Sequence, residues 1–460
     1  MSPEVVMVSA NAVVHDARVV KYATTVAGLG HRVTAVGLSP TGARTETTLG
    51  AVPVVQAALQ RPTAVARIWT RLTVRLGREL RTRRRRDGGH ALLRGSGRRI
   101  EVYRRHPWLV PGRLVLRDVR RQERAIAVEL RRLRPGVVHV HDIYLLGAAV
   151  RFARASARDG RPVRVVYDAH EYVLGLANVA PRRVAALRLL EERFISAVDR
   201  VVTVSDPLAD LLQRDHGLAE RPLVVLNAPV ESASGAAVRP LREVAGVAAG
   251  TPLLVYAGGL VVERGVQTVV DALPELPGVQ LVVVVNRPGS MTRWLQARAT
   301  ALGVGDQLHF APFVPPDQVA AYISSATLGL SPLLRAPNHD VAVTNKFCEY
   351  LAAGLPIVTS DTPAQAALVR ELDLGTVHQA GDAADCARAV RAALADHDRL
   401  AARMRADSEL RHRFSWAAQV EVIRGLYESV AGATPVRDIL ASRQDKVRAT
   451  ARDEHDRREN

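Results

Sequence analysis

The chain has 460 residues, 48% of them hydrophobic and 24% charged, with 63 Lys and Arg against 46 Asp and Glu, a formal net charge of +17 and a pI near 10.8. That length supports a large core divided over two or three domains, and the charge implies an anionic partner: nucleic acid, an anionic membrane face or a phosphorylated substrate. Two cysteines, Cys348 and Cys386, exclude a disulfide framework or a zinc ribbon and suit a reduced cytoplasm. The opening "MSPEVVMVSA" lacks the basic and long apolar regions of a signal peptide. No apolar run approaches the roughly 20 residues of a membrane span.

Short β-branched runs alternate with helical patterns along the chain. "EVVMVSA" (4–10) leads into a helical stretch from about Ala17 to Gly30, then "HRVTAVGL" (31–38). "GVVHVHD" (136–142), "VRVVYDAHE" (163–171), "RVVTVSD" (200–206) and "PLVVLNAP" (222–229) repeat the theme. A second series comprises "TPLLVYAGG" (251–259), "VQLVVVVN" (279–286), "QLHFAPFV" (307–314), "LGLSPL" (328–333) and "LPIVTSD" (355–361). Near-continuous apolar strands separated by helices predict parallel sheets covered on both faces, hence an α/β fold of two doubly wound, Rossmann-like domains.

The small-residue stretch "VESASGAAVRP" (230–240) marks the join. The expected domains are therefore 1–230 and 231–415, followed by a closing helix at 416–434 and a charged tail at 435–460 that is expected to be disordered. One segment breaks the rhythm. Residues 61–105 hold 15 arginines against three acids, and Ile68, Leu72, Leu76 and Leu80 recur every four residues beside Arg67, Arg71 and Arg75. This predicts a basic amphipathic helix with three readings: a solvated charged face, a dock for an anionic membrane surface, or a nucleic-acid contact. The last is disfavoured, because aromatics make up only 4% of the chain.

In parallel α/β sheets, ligands bind beyond the carboxyl ends of the strands, and with two domains the natural place is the cleft between them. The chemically informative residues fall at such ends. His139, His141 and Asp142 close one strand; Asp168, His170 and Glu171 close another. In "YAGGLVVERGVQTVVDAL" (256–273) a strand ends at Gly258–Gly259, and Arg264–Gly265 precedes a helix. Glycines let backbone amides approach an anion, and an arginine there can pair with phosphate oxygens; the alternative is a plain strand–turn–helix. In "TNKFCEYLAAGLPIVTSD" (344–361), Asn345, Lys346 and Glu349 share one face of a helix start. A carboxylate suits a vicinal diol such as ribose, and a cation suits a diphosphate. The alternative is that Glu349 only complements the helix and pairs with Lys346.

The ordered set "YAGGLVVERG", "HFAPFVPPDQVAAYISSATLGLSPL" and "TNKFCEYLAAGLPIVTSD" resembles the donor half of the retaining family 4 glycosyltransferases of the GT-B fold, in the branch with an N-K-x-x-E-Y motif. "HDARVVKYATTVAGLGHRVTAVG" (15–37), "HVHD", "VVYDAHE" and "VVTVSD" resemble its acceptor half, and "FSWAAQVEVIRGLYESV" resembles the helix that crosses back to the first domain. The resemblance spans roughly residues 4–430, except the arginine-rich insert.

It implies transfer of a sugar from a UDP- or GDP-linked donor to a glycan, lipid-linked or secondary-metabolite acceptor, with no cofactor beyond that co-substrate. Glu349 is implied to take the ribose hydroxyls, Arg264 the diphosphate, and Gly258 and Gly259 its approach, with Asn345, Lys346 and Asp340 completing the donor side. His170 is implied near the donor sugar and acceptor, with Arg264 as its catalytic counterpart. Asp16 and Arg18, in the first strand–helix connection, together with Asp142 and Glu171, are expected on the acceptor side.

Two positions depart from the family pattern. Val341 stands where a sugar-contacting Glu is frequent, with Asp340 beside it, and Gly259 stands where an Arg is frequent, leaving Lys346 or Arg287 to compensate. No DxD-type cluster is present, so metal independence is expected. Same-face attack with the leaving phosphate accepting the proton is favoured over Asp168 or Glu171 as nucleophile. His139 and His141 read as packing or hydrogen-bonding residues, since they lack zinc-ligand partners at suitable spacing. A nucleotide-sugar 2-epimerase and a non-catalytic basic binding protein are the rival readings. The expected location is cytoplasmic, with peripheral attachment to the inner membrane face.

Overall fold

The computed structural model describes residues 4–59, 100–103, 115–176, 179–230 and 238–432. The predicted basic helix in 61–105, apart from 100–103, and the charged tail from 435 lie outside these residues.

The chain divides into two compact units. One holds residues up to Val202, Gln213–Pro222 and the stretch from Arg424; the other holds Thr203–Leu212 and Leu223–Ile423. The first strands are β1 (Val5–Val8), β2 (Val33–Leu38), β3 (Thr45–Leu49), β4 (Val52–Ala57), β5 (Val137–His141), β6 (Arg164–Ala169), β7 (Arg200–Thr203) and β8 (Leu223–Val224). They form one sheet in the order β3-β4-β2-β1-β5-β6-β7-β8. Pairings β1–β2, β1–β5, β2–β4 and β5–β6 are parallel, and only the exposed edge strand β3 runs antiparallel to β4 among the registered pairs. The helices that follow strands here include α1 (Ala17–Gly28), α2 (Arg117–Leu133), α3 (Leu146–Arg158), α4 (Pro181–Phe194) and α5 (Asp206–His216).

The second sheet holds β9 (Leu253–Ala257), β10 (Gln280–Val285), β11 (Leu308–Pro312), β12 (Leu328–Ser331), β13 (Ile357–Ser360) and β14 (Gly375–His378), in the order β11-β10-β9-β12-β13-β14. All its registered pairings are parallel. Its longer helices include α6 (Val266–Ala272), α7 (Ser290–Ala301), α8 (Asn345–Ala352), α9 (Pro363–Glu371) and α10 (Ala383–Ala395), while α11 (Trp416–Gly432) starts in this unit and belongs to the first from Arg424, Tyr427 included.

Alternation along the strands builds two cores. Leu254, Tyr256, Leu281 and Val283 pack with α6, α7 and α10, whereas Leu253, Val255, Val282 and Val284 pack with α8 on the opposite face. Burial on both faces is the reason these strands read as unbroken apolar runs. Residues 45–49 and 375–378 carry no such run. β3 and β14 are edge strands with polar residues, which is why periodicity does not announce them.

Candidate functional site

In the second unit, the site begins where β9 ends. Gly258 takes φ 150°, and a Cβ placed there would lie 2.7 Å from Lys346 Nζ. The turn Val262–Arg264 follows, then Gly265 at φ 74°, a left-handed conformation suited to glycine. A side chain at Gly265 would collide with the carbonyl oxygen of Pro332, just beyond β12. The amide of Leu334 also donates to the Glu263 carbonyl, 3.0 Å away. The glycine therefore lets the loop after β9 close directly onto the loop after β12, and Arg264 is carried by that junction. The Tyr256 hydroxyl donates to the Gly259 carbonyl at 2.9 Å, which fixes the start of the loop.

α8 supplies the remaining groups. Its residue Tyr350 is fully buried against Gly329 of β12, and its hydroxyl donates to the Leu330 carbonyl at 2.9 Å while accepting from the Ala257 amide at 3.3 Å. This clamps the helix onto the ends of β9 and β12. Lys346, one turn earlier, is only 7% exposed, and its ammonium stands over the Tyr256 ring, 4.9 Å from the centroid. Burial pushes its pKa down to about 8, the charge of Arg264 adds to that fall, and Glu349 opposes it. One ammonium thus lies within electrostatic reach of both Arg264 and Glu349. A side chain at Gly259, where the family pattern carries Arg, would enter open space; the cation present beside Gly258 is Lys346.

The remaining donor-side expectations sit nearby with other engagements. Asn345 is the exposed first residue of α8. Asp340 accepts from Arg335 Nε at 2.7 Å and Nη2 at 3.2 Å. Its neighbour His339 bonds to the Leu334 carbonyl at 2.7 Å, and its pKa is lowered by burial, with Arg264 contributing.

In the first unit, the carboxyl ends of β1, β5 and β6 converge. Asp16 caps α1, accepting from the amides of Arg18 and Val19 at 3.2 Å and from Asn11 Nδ2 at 2.8 Å. Burial raises its pKa, but these bonds, with His141 and His170, leave it below the usual carboxylate range. Arg18, expected on the acceptor side, is 4% exposed, and its Nε and Nη2 donate to the fully buried Asp168 at 2.8 and 2.9 Å. The structure gives it a task inside the unit, as the counter-charge to Asp168.

Asp168 in turn lies 3.4 Å from His170 Nε2 and 3.3 Å from His141 Nδ1. Burial works against the Asp168 carboxylate, yet Arg18 and the two histidines hold it well below its usual range. Burial also opposes charge on His170, but Asp168 and Asp142 overcome it and raise its pKa. Asp142, 3.6 Å from His170 Nδ1, sits at φ 69°, where a non-glycine residue is strained; its amide bonds to the Asp168 carbonyl at 3.0 Å. Glu171 is exposed at the rim.

Sequence spacing offers His139 and His141 no third ligand, but the neighbouring strand brings Asp168 to within metal-binding distance of both. The donor set is nonetheless poorly suited to a cation. Arg18 occupies both oxygens of Asp168, His139 Nδ1 shares a 2.8 Å hydrogen bond with the Tyr427 hydroxyl of α11, and the two imidazoles stack at 4.6 Å. Burial lowers the pKa of both rings and keeps them neutral. The partnership of His139 with Tyr427 spans 288 residues, and no local signal announces it.

Comparison with known proteins agrees with both halves. Residues 251–396 match the family model of glycosyl transferases group 1, and residues 83–233 match that of Glycosyltransferase Family 4. A D-inositol 3-phosphate glycosyltransferase of Acidothermus cellulolyticus is 28% identical over 268 residues, which are 55% of this chain and 56% of that protein. A phosphatidyl-myo-inositol mannosyltransferase of Mycobacterium leprae is 30% identical over 173 residues, 36% of this chain and 44% of that protein. The chain thus matches about half the length of these curated relatives. Among solved structures, sucrose-phosphate synthase from Thermosynechococcus elongatus superposes with a TM-score of 0.69 at 15% identity, covering 94% of this chain and 100% of that one. Anabaena HepE in complex with UDP-glucose gives 0.61 at 15% identity, covering 93% and 100%. The chain belongs to the family 4 glycosyltransferases and has their GT-B fold.

Proposed function

We propose that the protein transfers a glycosyl group from a nucleoside diphosphate sugar to an acceptor hydroxyl, with retention of anomeric configuration and without a metal ion. The observation that carries this reading is the gathering of Arg264, Lys346 and Glu349 around the glycine turn at the end of β9. Two cations at a strand end suit a diphosphate, and a carboxylate one helical turn from the lysine suits the vicinal hydroxyls of ribose. HepE is known with UDP and UDP-glucose, which makes uridine the first base to test.

In this reading the bond from the anomeric carbon to the diphosphate oxygen breaks, and a bond from the acceptor oxygen forms on the same face. The acceptor proton passes to the departing phosphate oxygen. Arg264 and Lys346 offset the negative charge that grows on the leaving group, taking the place of a divalent ion. In the first unit, a protonated His170 held by Asp168 and Asp142 would orient the sugar or acceptor hydroxyls. The acceptor belongs to the glycan, lipid-linked or secondary-metabolite class.

The test supplies labelled UDP- and GDP-sugars with and without pooled acceptors. Nucleoside diphosphate release is expected only with acceptor, and Arg264→Ala should cut turnover about 100-fold, as loss of one charge-stabilising donor does elsewhere. Glu349→Gln should weaken nucleotide binding in calorimetry while leaving the fold intact. Normal turnover in Arg264→Ala would overturn the assignment. Release of nucleotide and free sugar without acceptor would favour an epimerase instead.

A further inference from the structure

Gln365, on α9, is a polar side chain with no exposure, set among the carboxyl ends of β12 and β13. Its amide oxygen accepts from Ser331 Oγ at 2.8 Å and from Thr344 Oγ1 at 3.1 Å, and its Nε2 donates to Thr362 Oγ1 at 3.2 Å. Both acceptor positions of that oxygen are thereby filled. Ser331 is held in turn, since Thr359 Oγ1 donates to its carbonyl at 3.1 Å. Ser331, Thr359 and Thr362 are all fully buried. The amide is a fixed hub at the strand ends, and through Thr344 it reaches the start of α8.

Thr344 is the N-cap residue of α8, with the extended backbone (φ −77°, ψ 153°) from which a threonine normally accepts a hydrogen bond from the helix. It makes no such bond. Its hydroxyl turns to Gln365 instead, and the first amides of α8 are left without a side-chain acceptor. At the same helix end Lys346 is buried, and its ammonium meets the Tyr256 ring and the charges of Arg264 and Glu349 without a hydrogen bond to any of them. A cation and uncapped amides therefore converge at one place, which suits an anion. A residue that only filled the core would account for the bonds to Ser331 and Thr362, but not for a capping hydroxyl drawn away from its helix.

We infer that Gln365 is a positioning residue for the donor diphosphate: by holding the Thr344 hydroxyl it keeps the first amides of α8 open to the phosphates and fixes the start of the helix that carries Lys346 and Glu349. The inference rests on the reading of this end of α8 as the diphosphate site. With an apolar residue at 365, the Thr344 hydroxyl is released to cap α8 and competes with phosphate for the same amides. Tyr350 pins the helix from its other side through the Leu330 carbonyl, so the helix stays in place while its N-terminus changes partner.

The test is calorimetry of the full-length protein with UDP and GDP, for wild type, Gln365→Met, Thr344→Val and the double variant. Methionine is close to glutamine in length and removes all three hydrogen bonds. Gln365→Met should bind the tighter nucleotide about fivefold more weakly, the worth of one anion at a helix N-terminus, while binding of the matching nucleoside, which has no phosphate, changes less than about twofold. Thr344→Val alone should stay within about twofold of wild type, and adding it to Gln365→Met should restore most of the lost affinity, because no hydroxyl remains to cap the helix. Circular dichroism verifies folding. If Gln365→Met does not fold, Thr344→Asn, whose amide oxygen caps the helix directly, should weaken the nucleotide by a similar factor without lowering the melting temperature. Wild-type affinity in Gln365→Met, an equal loss for the nucleoside, a double variant no tighter than Gln365→Met, or wild-type affinity in Thr344→Asn would each overturn the inference. A wild-type protein that binds neither nucleotide would overturn the reading of the site itself, and this inference with it.

Discussion

Replacement of Lys346 by Met tests the donor site through stability and binding together. The side chains are similar in length, so the change removes a charge and little volume. Lys346 is 7% exposed, and its fall from an ordinary value near 10.5 to about 8 corresponds to roughly 3 kcal/mol of penalty on the charged form. Against that penalty stands the cation–π contact with Tyr256, worth up to about 2 kcal/mol when desolvated. Removing both leaves the unliganded variant more stable by about 1 kcal/mol at pH 7. The sign has a definite window. The folded value lies below the unfolded one, so the penalty is fully present below pH 8 and fades between 8 and 10.5 as the folded lysine loses its proton. Urea denaturation at pH 7 and pH 9.5 should therefore show an advantage for the variant that shrinks at the higher pH. Calorimetry with UDP and GDP at pH 7 should show the opposite cost, a loss of about 10- to 100-fold for the tighter nucleotide, as expected for one charge-assisted bond. A variant that is destabilised at pH 7, or that binds nucleotide as tightly as wild type, would refute the reasoning.

Gly265→Ala forces a side chain into a left-handed position against the Pro332 carbonyl; it should cost at least about 2 kcal/mol in denaturant titrations, and a wild-type midpoint would show the two loops to be less tightly joined. Asp168→Asn leaves the buried Arg18 guanidinium without its counter-charge and should destabilise the protein by about 3–5 kcal/mol. Because Asp168 is the largest influence raising the His170 pKa, imidazole NMR of the same variant should show His170 titrating at lower pH, and an unchanged value would detach His170 from the network. Tyr427→Phe removes the hydroxyl that engages His139 and should destabilise by about 1–3 kcal/mol through the orphaned imidazole nitrogen; a neutral effect in thermal melts would mean that the ring alone holds the contact.

The grouping of Lys346, Glu349 and Arg264 was legible because its spacing is local. Lys346 and Glu349 are one helical turn apart on α8, and the glycine turn with Arg264 lies within one loop after β9. Likewise, strands buried on both faces, such as β5, β9 and β10, declare themselves through uninterrupted apolar runs. The edges β3 and β14 did not, because half-exposed strands follow no such rule.

What the sequence determined by itself is therefore the class of fold and the residue types at the strand ends, since both follow from short-range periodicity and from turn chemistry. What only the tertiary structure decided is which of those residues face one another. Arg18 and Asp168 are 150 residues apart in sequence, and the fold turns an expected acceptor contact into a buried ion pair. His139 and His141 become a neutral stacked pair under Tyr427, and Lys346 becomes the cation beside Gly258. The physical reason is burial: charge and hydrogen-bond partners are chosen by which groups lose water together, and that depends on packing across strands rather than on order along the chain.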